Sequence, residues 1–398
     1  MKFLRRRLKN GMTVLMEWRE LPVVALGISN RFGAAFEESK IKGIAHVIEH
    51  LLFTGTKTRT HEDISREIEK KGGVVNAFTA NEITSYYFKL PSEHVFAGLD
   101  ILHDILENPI FEPKKFEKEK KVILEEIKMY HDSPQHHVGT MILSALFKGP
   151  FGEGIIGSEN TVSALQRDFV YNYFRAHYSP ENYIVTIVGN ADFEKICAYL
   201  EEGFTKRDIV LKEERIGKTN EDLREARAGI DQAHYIFAAH APLPGSAGFP
   251  VLEVLDAYLA NGMSSRLFLK IREEKGLAYA VKSSINGEKN YCYYDIYVGT
   301  MSAALSDVQT TILEEFKAME SMTDKDLKEA QERLIGLRKL SAEESTTVMN
   351  ELLFAELAGK AEDYYGHEAS IRAVALADVK KLAKTLMKDF STAVIVPK

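Results

Sequence analysis

The chain has 398 residues, 45% hydrophobic and 27% charged, which suits a folded protein long enough for two or three domains. Its formal charge of -7 lacks the basic footprint of a nucleic-acid binder, and no apolar run reaches the length of a membrane span. Cys197 and Cys292 are its two cysteines, so no disulfide framework is expected, and inert thiols in the cytoplasm are. After Arg5-Arg6-Arg7 the chain reads Leu8-Lys9-Asn10-Gly11, too polar for the apolar stretch of a signal peptide; the arginines are expected on a solvated strand edge.

In chain order, helical patterning covers about 43–54 and about 60–71, and Gly72-Gly73 breaks it. Alternation then predicts strands from Val74 to Thr79 and from Ile83 to Leu90. The same order returns later: helices from Phe249 to Ala260 and Ser264 to Lys275, a break at Gly276, and strands from Ala278 to Ile285 and Tyr291 to Gly299. Downstream, Ser92 to Leu106 matches Ser302 to Met319, and Pro113 to Met129 matches Asp324 to Leu340, as helices. Each copy closes on a β-branched strand, at Tyr183 and at Thr392.

Thr205 to Ala228 is charged and lacks apolar periodicity, which reads as a linker. The expected architecture is α+β: two duplicated domains, 1–207 and 229–398 joined by 208–228, each a mainly antiparallel sheet with helices packed on it.

His46-Val47-Ile48-Glu49-His50 falls inside the first helix. Residues four apart share a helix face, so His46 and His50 can offer two imidazoles to one ion. Glu49 stands beside them as a general base, the inverted H-x-x-E-H order. A catalytic zinc needs a third protein ligand and an open position, and Glu126 is the best candidate. Glu119, two helical turns earlier, is placed to orient a ligand or the bound water. With Pro113 aligned on Asp324, Leu337 stands opposite Glu126 and Ala330 opposite Glu119. The second copy keeps the helix and drops the carboxylates, so the fold does not require them. His61, His94, His103, His131, His136, His137, His177, His234, His240 and His367 lack a second ligand at helical spacing, and most are expected on the surface.

These motifs resemble the pitrilysin, or insulinase, family of zinc peptidases, in its short two-domain branch. The resemblance covers nearly the whole chain and rests on Gly43-Ile-Ala-His-Val-Ile-Glu-His-Leu-Leu-Phe-Thr-Gly-Thr56, Gly72-Gly-Val-Val-Asn-Ala-Phe-Thr79, Glu119-Lys-Lys-Val-Ile-Leu-Glu-Glu126, Ser179-Pro-Glu-Asn-Tyr183 and Gly262-Met-Ser-Ser-Arg-Leu-Phe268. It implies that His46, His50 and Glu126 bind zinc, that Glu49 activates water, and that Glu119 is a further acidic group near the metal. It also implies that the strand with Asn76, Ala77 and Phe78 docks a peptide substrate by strand addition.

In Arg272-Glu-Glu-Lys-Gly-Leu-Ala-Tyr279 the resemblance implies an arginine and a tyrosine that act on substrate from the opposing half. That half comes from another subunit in the short branch, so a homodimer, or a heterodimer with a related subunit, is expected. The alternative is a non-catalytic assembly subunit of the same fold; the complete ligand set argues against it. A structural zinc site would need a fourth protein ligand.

Overall fold

The computed structural model describes residues 2–211 and 216–398; residues 212–215, inside the expected linker, lie outside the described residues. In the first half the strands are β1 (Lys2–Arg7), β2 (Thr13–Trp18), β3 (Val23–Asn30), β4 (Val74–Thr79), β5 (Thr84–Pro91) and β6 (Tyr183–Gly189). They form one sheet in the order β1-β2-β6-β3-β5-β4, antiparallel except for the parallel pair β2 and β6. Every residue of β6 is buried, as expected for a β-branched strand covered on both faces.

The second half contributes β7 (Asp222–Arg227), β8 (Ala233–His240), β9 (Ala278–Gly287), β10 (Cys292–Thr300) and β11 (Ser391–Pro397). Their order is β9-β10-β8-β11-β7, again antiparallel apart from one parallel pair, β11 with β7. Read from β7, this order repeats β2-β6-β3-β5-β4, so the duplication seen in the sequence is a duplication of topology. β7 lies within the stretch read as a linker, which corrects that part of the reading. Its residues alternate between exposed and half-buried and include Asp222, Arg224, Glu225 and Arg227. Such a charged pattern suits the outermost strand of a sheet but mimics a solvated loop.

The helices relevant here are α1 (Ile44–Leu52), α2 (His61–Glu69), α3 (Val95–Glu107), α4 (Pro113–Asp132), α5 (Pro134–Leu146), α6 (Phe249–Leu259), α7 (Asp324–Ser341) and α8 (Ser345–Ala358). Where a regular helix was expected from Ser264 to Lys275, Phe268–Glu274 is a π-helix, and the Lys275 amide bonds the Lys270 carbonyl five residues back. No helix is long and apolar enough to cross a membrane among the described residues.

The chain divides into two compact units that do not follow its order. The first comprises Met1–Lys128, Glu153–Arg215 and Ala342–Leu357, and the second Met129–Gly152, Ile216–Ser341 and Ala358–Lys398. Most of α8 therefore belongs to the unit built from the first half. Glu356 pairs with Arg5 at 2.6 Å, Glu344 just before the helix pairs with Lys89 at 2.6 Å, and Phe354 stacks on Phe78 with ring centres 6.3 Å apart. Conversely, α5 packs against β8 and β11 of the second unit, and its His137 bonds Glu225 of β7 at 2.8 Å.

Each unit has its own apolar core. The first gathers α1, α3 and one face of its sheet around Leu51, Phe88 and Leu102; the second gathers α6 and its sheet around Leu255, Tyr294 and Phe316. Both cysteines are buried and unpaired.

Candidate active site

The site starts with the way α1 is anchored. Ile44, Ala45, Val47, Ile48, Leu51 and Leu52 are buried, which pins the helix in the core and leaves His46, Glu49 and His50 along one flank. The Glu37 carboxylate receives the backbone N–H groups of Gly43 at 2.9 Å and Ala45 at 2.7 Å. A buried anion at a helix N-terminus satisfies orphan donors and opposes the helix dipole. Burial pushes the Glu37 carboxyl upward, against the pull of Lys42 and the two amides. Sequence reasoning missed Glu37, because an acid seven residues before the helix carries no motif.

Helix α4 supplies the acidic side. Phe116 and Ile123 are buried, and Glu119 and Glu126 follow each by three positions, so core packing fixes where both carboxylates emerge. The Lys115 ammonium donates to the Thr54 carbonyl at 2.6 Å, tying the start of α4 to the end of α1.

Three donors converge as a result. One ligand atom from each of His46, His50 and Glu126 lies within 4.8 Å of the others. Glu126 Oε2 is 3.7 Å from His46 Nε2 and 3.6 Å from His50 Nε2. The imidazole rings stand 4.6 Å apart and inclined by 72°. Tetrahedral zinc with bonds of about 2.0–2.1 Å places its donors roughly 3.3–3.4 Å apart, so this spacing fits a small cation. Burial, with His50 adding, lowers the His46 pKa to about 3, which keeps the ring neutral, as metal binding needs. Its Nδ1 is buried with no hydrogen-bond partner among the described residues.

Glu119 Oε2 sits 3.5 Å from His50 Nδ1, so it brackets the ring opposite Glu126. Glu49 Oε2 accepts a hydrogen bond from Thr79 Oγ1 of β4 at 2.5 Å. Burial raises the Glu49 pKa, while the Thr79 bond and His50 oppose the rise and Glu126 adds to it.

The expected substrate residues lie on β4, which is the outermost strand of its sheet. Asn76 is exposed and Ala77 and Phe78 are half-buried. Arg272 and Tyr279 belong to the second unit, where the structure brings them together. The Arg272 guanidinium lies 4.5 Å from the centre of the Tyr279 ring and 4.9 Å from that of Phe268. Arg272 lies within the π-helix, and Tyr279 is 80% exposed.

Of the other histidines, only His61, His131 and His136 are exposed; the remaining seven are half-buried. That corrects their expected surface placement. His103 bonds the Gly203 carbonyl at 2.8 Å and His367 bonds Glu253 at 3.0 Å, partners that local spacing does not reveal.

Comparison with known proteins identifies the family. Residues 13–159 match the family described as Insulinase (Peptidase family M16), and residues 164–334 match the Peptidase M16 inactive domain. An uncharacterized zinc protease of Bacillus subtilis, YmxG, is 31% identical over 98% of this chain and 97% of its own length. The chain belongs to peptidase family M16. A second relative, an uncharacterized zinc protease of Mycobacterium leprae, is 32% identical over 99% of the chain and 91% of its own length.

The M16 fold is also recovered in solved structures. A protease from Helicobacter pylori superposes with a TM-score of 0.92 at 19% identity, covering 100% of this chain and 99% of its own. A protein from Pseudomonas fluorescens described as a peptidase M16 inactive domain gives 0.91 at 14% identity, covering 100% and 98%.

Proposed function

We propose that the chain is a zinc-dependent endopeptidase that hydrolyses peptides or unfolded segments. One observation carries this reading: His46, His50 and Glu126 converge within 4.8 Å, and the two histidines share their flank of α1 with Glu49. Two imidazoles and one carboxylate form a catalytic zinc donor set that leaves a position open. Bound there, zinc would polarise a peptide carbonyl and lower the pKa of water.

The chain's own groups supply the rest. Glu49 takes a proton from the attacking water and returns it to the departing amine nitrogen, so that water is added across the C–N bond. Glu119, 3.5 Å from His50 Nδ1, holds that ring in one orientation. The free edge of β4 at Asn76, Ala77 and Phe78 pairs with an extended substrate, whose backbone then runs as an added strand.

The family resemblance supports a dimer, a homodimer or a pair with a related subunit, in which Arg272 grips substrate carbonyls and Tyr279 donates to the developing oxyanion. Glu49→Gln tests the base: it should abolish turnover and keep zinc, and full activity would remove Glu49 from its role. His46→Ala should lose the metal, and stoichiometric zinc in that variant would count against the ligand set.

A further inference from the structure

The two copies share one bond that their metal chemistry does not explain. Glu49 lies six residues before Gly55 and Asp256 six before Gly262, two glycines with positive φ (141° and 90°) that follow α1 and α6. Thr79 lies seven residues after Gly72 and Ser283 seven after Gly276, again glycines with positive φ (74° and 61°). In each unit the hydroxyl donates to the carboxylate: Thr79 Oγ1 to Glu49 Oε2 at 2.5 Å, and Ser283 Oγ to Asp256 Oδ1 at 2.5 Å. By the same count from the glycines, Glu253 and Ala257 stand where His46 and His50 stand. The helix-to-strand tether is therefore common to both copies, whereas the two histidines are not.

What differs is the rest of the carboxylate. Asp256 Oδ1 also accepts the Tyr294 hydroxyl at 2.9 Å, and its Oδ2 accepts the Asn261 amide at 3.1 Å. Both oxygens are engaged, and the residue is 5% exposed, a fully satisfied structural group. Glu49 takes only the Thr79 hydrogen bond among the described residues, so Oε1 is left open.

From this contrast we infer that Thr79 is a positioning residue for the reaction proposed above, on which the inference rests. It clamps one oxygen of Glu49 to the substrate-docking strand and leaves the other directed to proton transfer. A carboxylate on a flexible side chain otherwise samples several rotamers, and a misplacement of about 1 Å can cost roughly a hundredfold in rate. The tether also fixes Glu49 to the strand that carries Asn76, so base and bound peptide share one frame.

The test compares zinc-loaded wild type with Thr79→Val, which keeps the shape and removes the hydroxyl, and with Thr79→Ser, which keeps the hydroxyl. Thr79→Val should lower kcat by about tenfold or more, with KM and zinc content unchanged, and Thr79→Ser should restore most of the loss. Ser283→Ala, in the saturated copy, should lower the melting temperature and leave kcat and KM as they were. Wild-type kcat in Thr79→Val, or equal impairment in Thr79→Ser, would overturn the inference. If wild type cleaves no peptide, the proposed function fails, and the tether is read instead from crystal structures of wild type and Thr79→Val. A Glu49 carboxylate that rotates away in the variant supports the clamp, and an unmoved one overturns it.

Discussion

Glu119 Oε2 lies 3.5 Å from His50 Nδ1, so one carboxylate of α4 steadies the ring whose other nitrogen faces Glu126. A carboxylate behind a ligating histidine fixes its tautomer and raises its basicity, and losing it typically costs about 10- to 100-fold in metal affinity. Glu119→Gln should therefore weaken zinc binding by about that factor in a chelator competition, with the fold intact. Wild-type affinity would detach Glu119 from the metal site.

Glu126 should be replaceable without harm to the fold. The second copy carries Leu337 at the corresponding place of α7, and that residue is 45% exposed. Glu126→Leu should give a chain with the secondary structure and metal-free melting temperature of wild type that no longer retains zinc on gel filtration. Retained zinc would show that another group completes the site.

The saturated carboxylate of the second unit makes a prediction about pH. Burial raises the pKa of Asp256 above the ordinary aspartate value, and the donors Ser283, Asn261 and Tyr294 only partly oppose it. The native state then holds a proton at pH values where the unfolded chain has released it. The unfolded state binds fewer protons there, so stability falls as pH rises from the ordinary aspartate range through the raised native value. Denaturation midpoints measured across that window should decline less steeply in Asp256→Asn than in wild type. Equal slopes would contradict the assignment.

If two copies complete each other's sites, Glu49→Gln chains and Tyr279→Phe chains should be weak alone and partly active once mixed and allowed to exchange. No recovery, with exchange confirmed by a mass-labelled subunit, would mean that each site is built within one chain.

Much of this was legible in the sequence. The repeated helix–helix–hairpin order reveals the duplication, and the spacing of His46, Glu49 and His50 alone puts three groups on one helix flank. The rest depended on tertiary packing. Helix α8 follows α7 in the chain yet packs through Phe354 and Glu356 in the first unit, because an apolar helix face does not name its partner. The strand Asp222–Arg227 read as a linker because an edge strand carries charges on both faces. The wide turns of Phe268–Glu274 share their apolar spacing with an ordinary helix, so the π-helix around Arg272 left no mark. Thr79 went unnoticed as well, although the seven-residue spacing from Gly72, repeated between Gly276 and Ser283, was there to be counted.

The central claim is most directly tested by turnover of a mixed quenched-peptide library by the purified chain alone, with a zinc chelator and after zinc is restored. Cleavage should stop with the chelator and return with zinc, and Glu49→Gln should lack it throughout. Cleavage indifferent to the chelator, or none from a zinc-loaded chain supplied with its partner subunit, would contradict the claim.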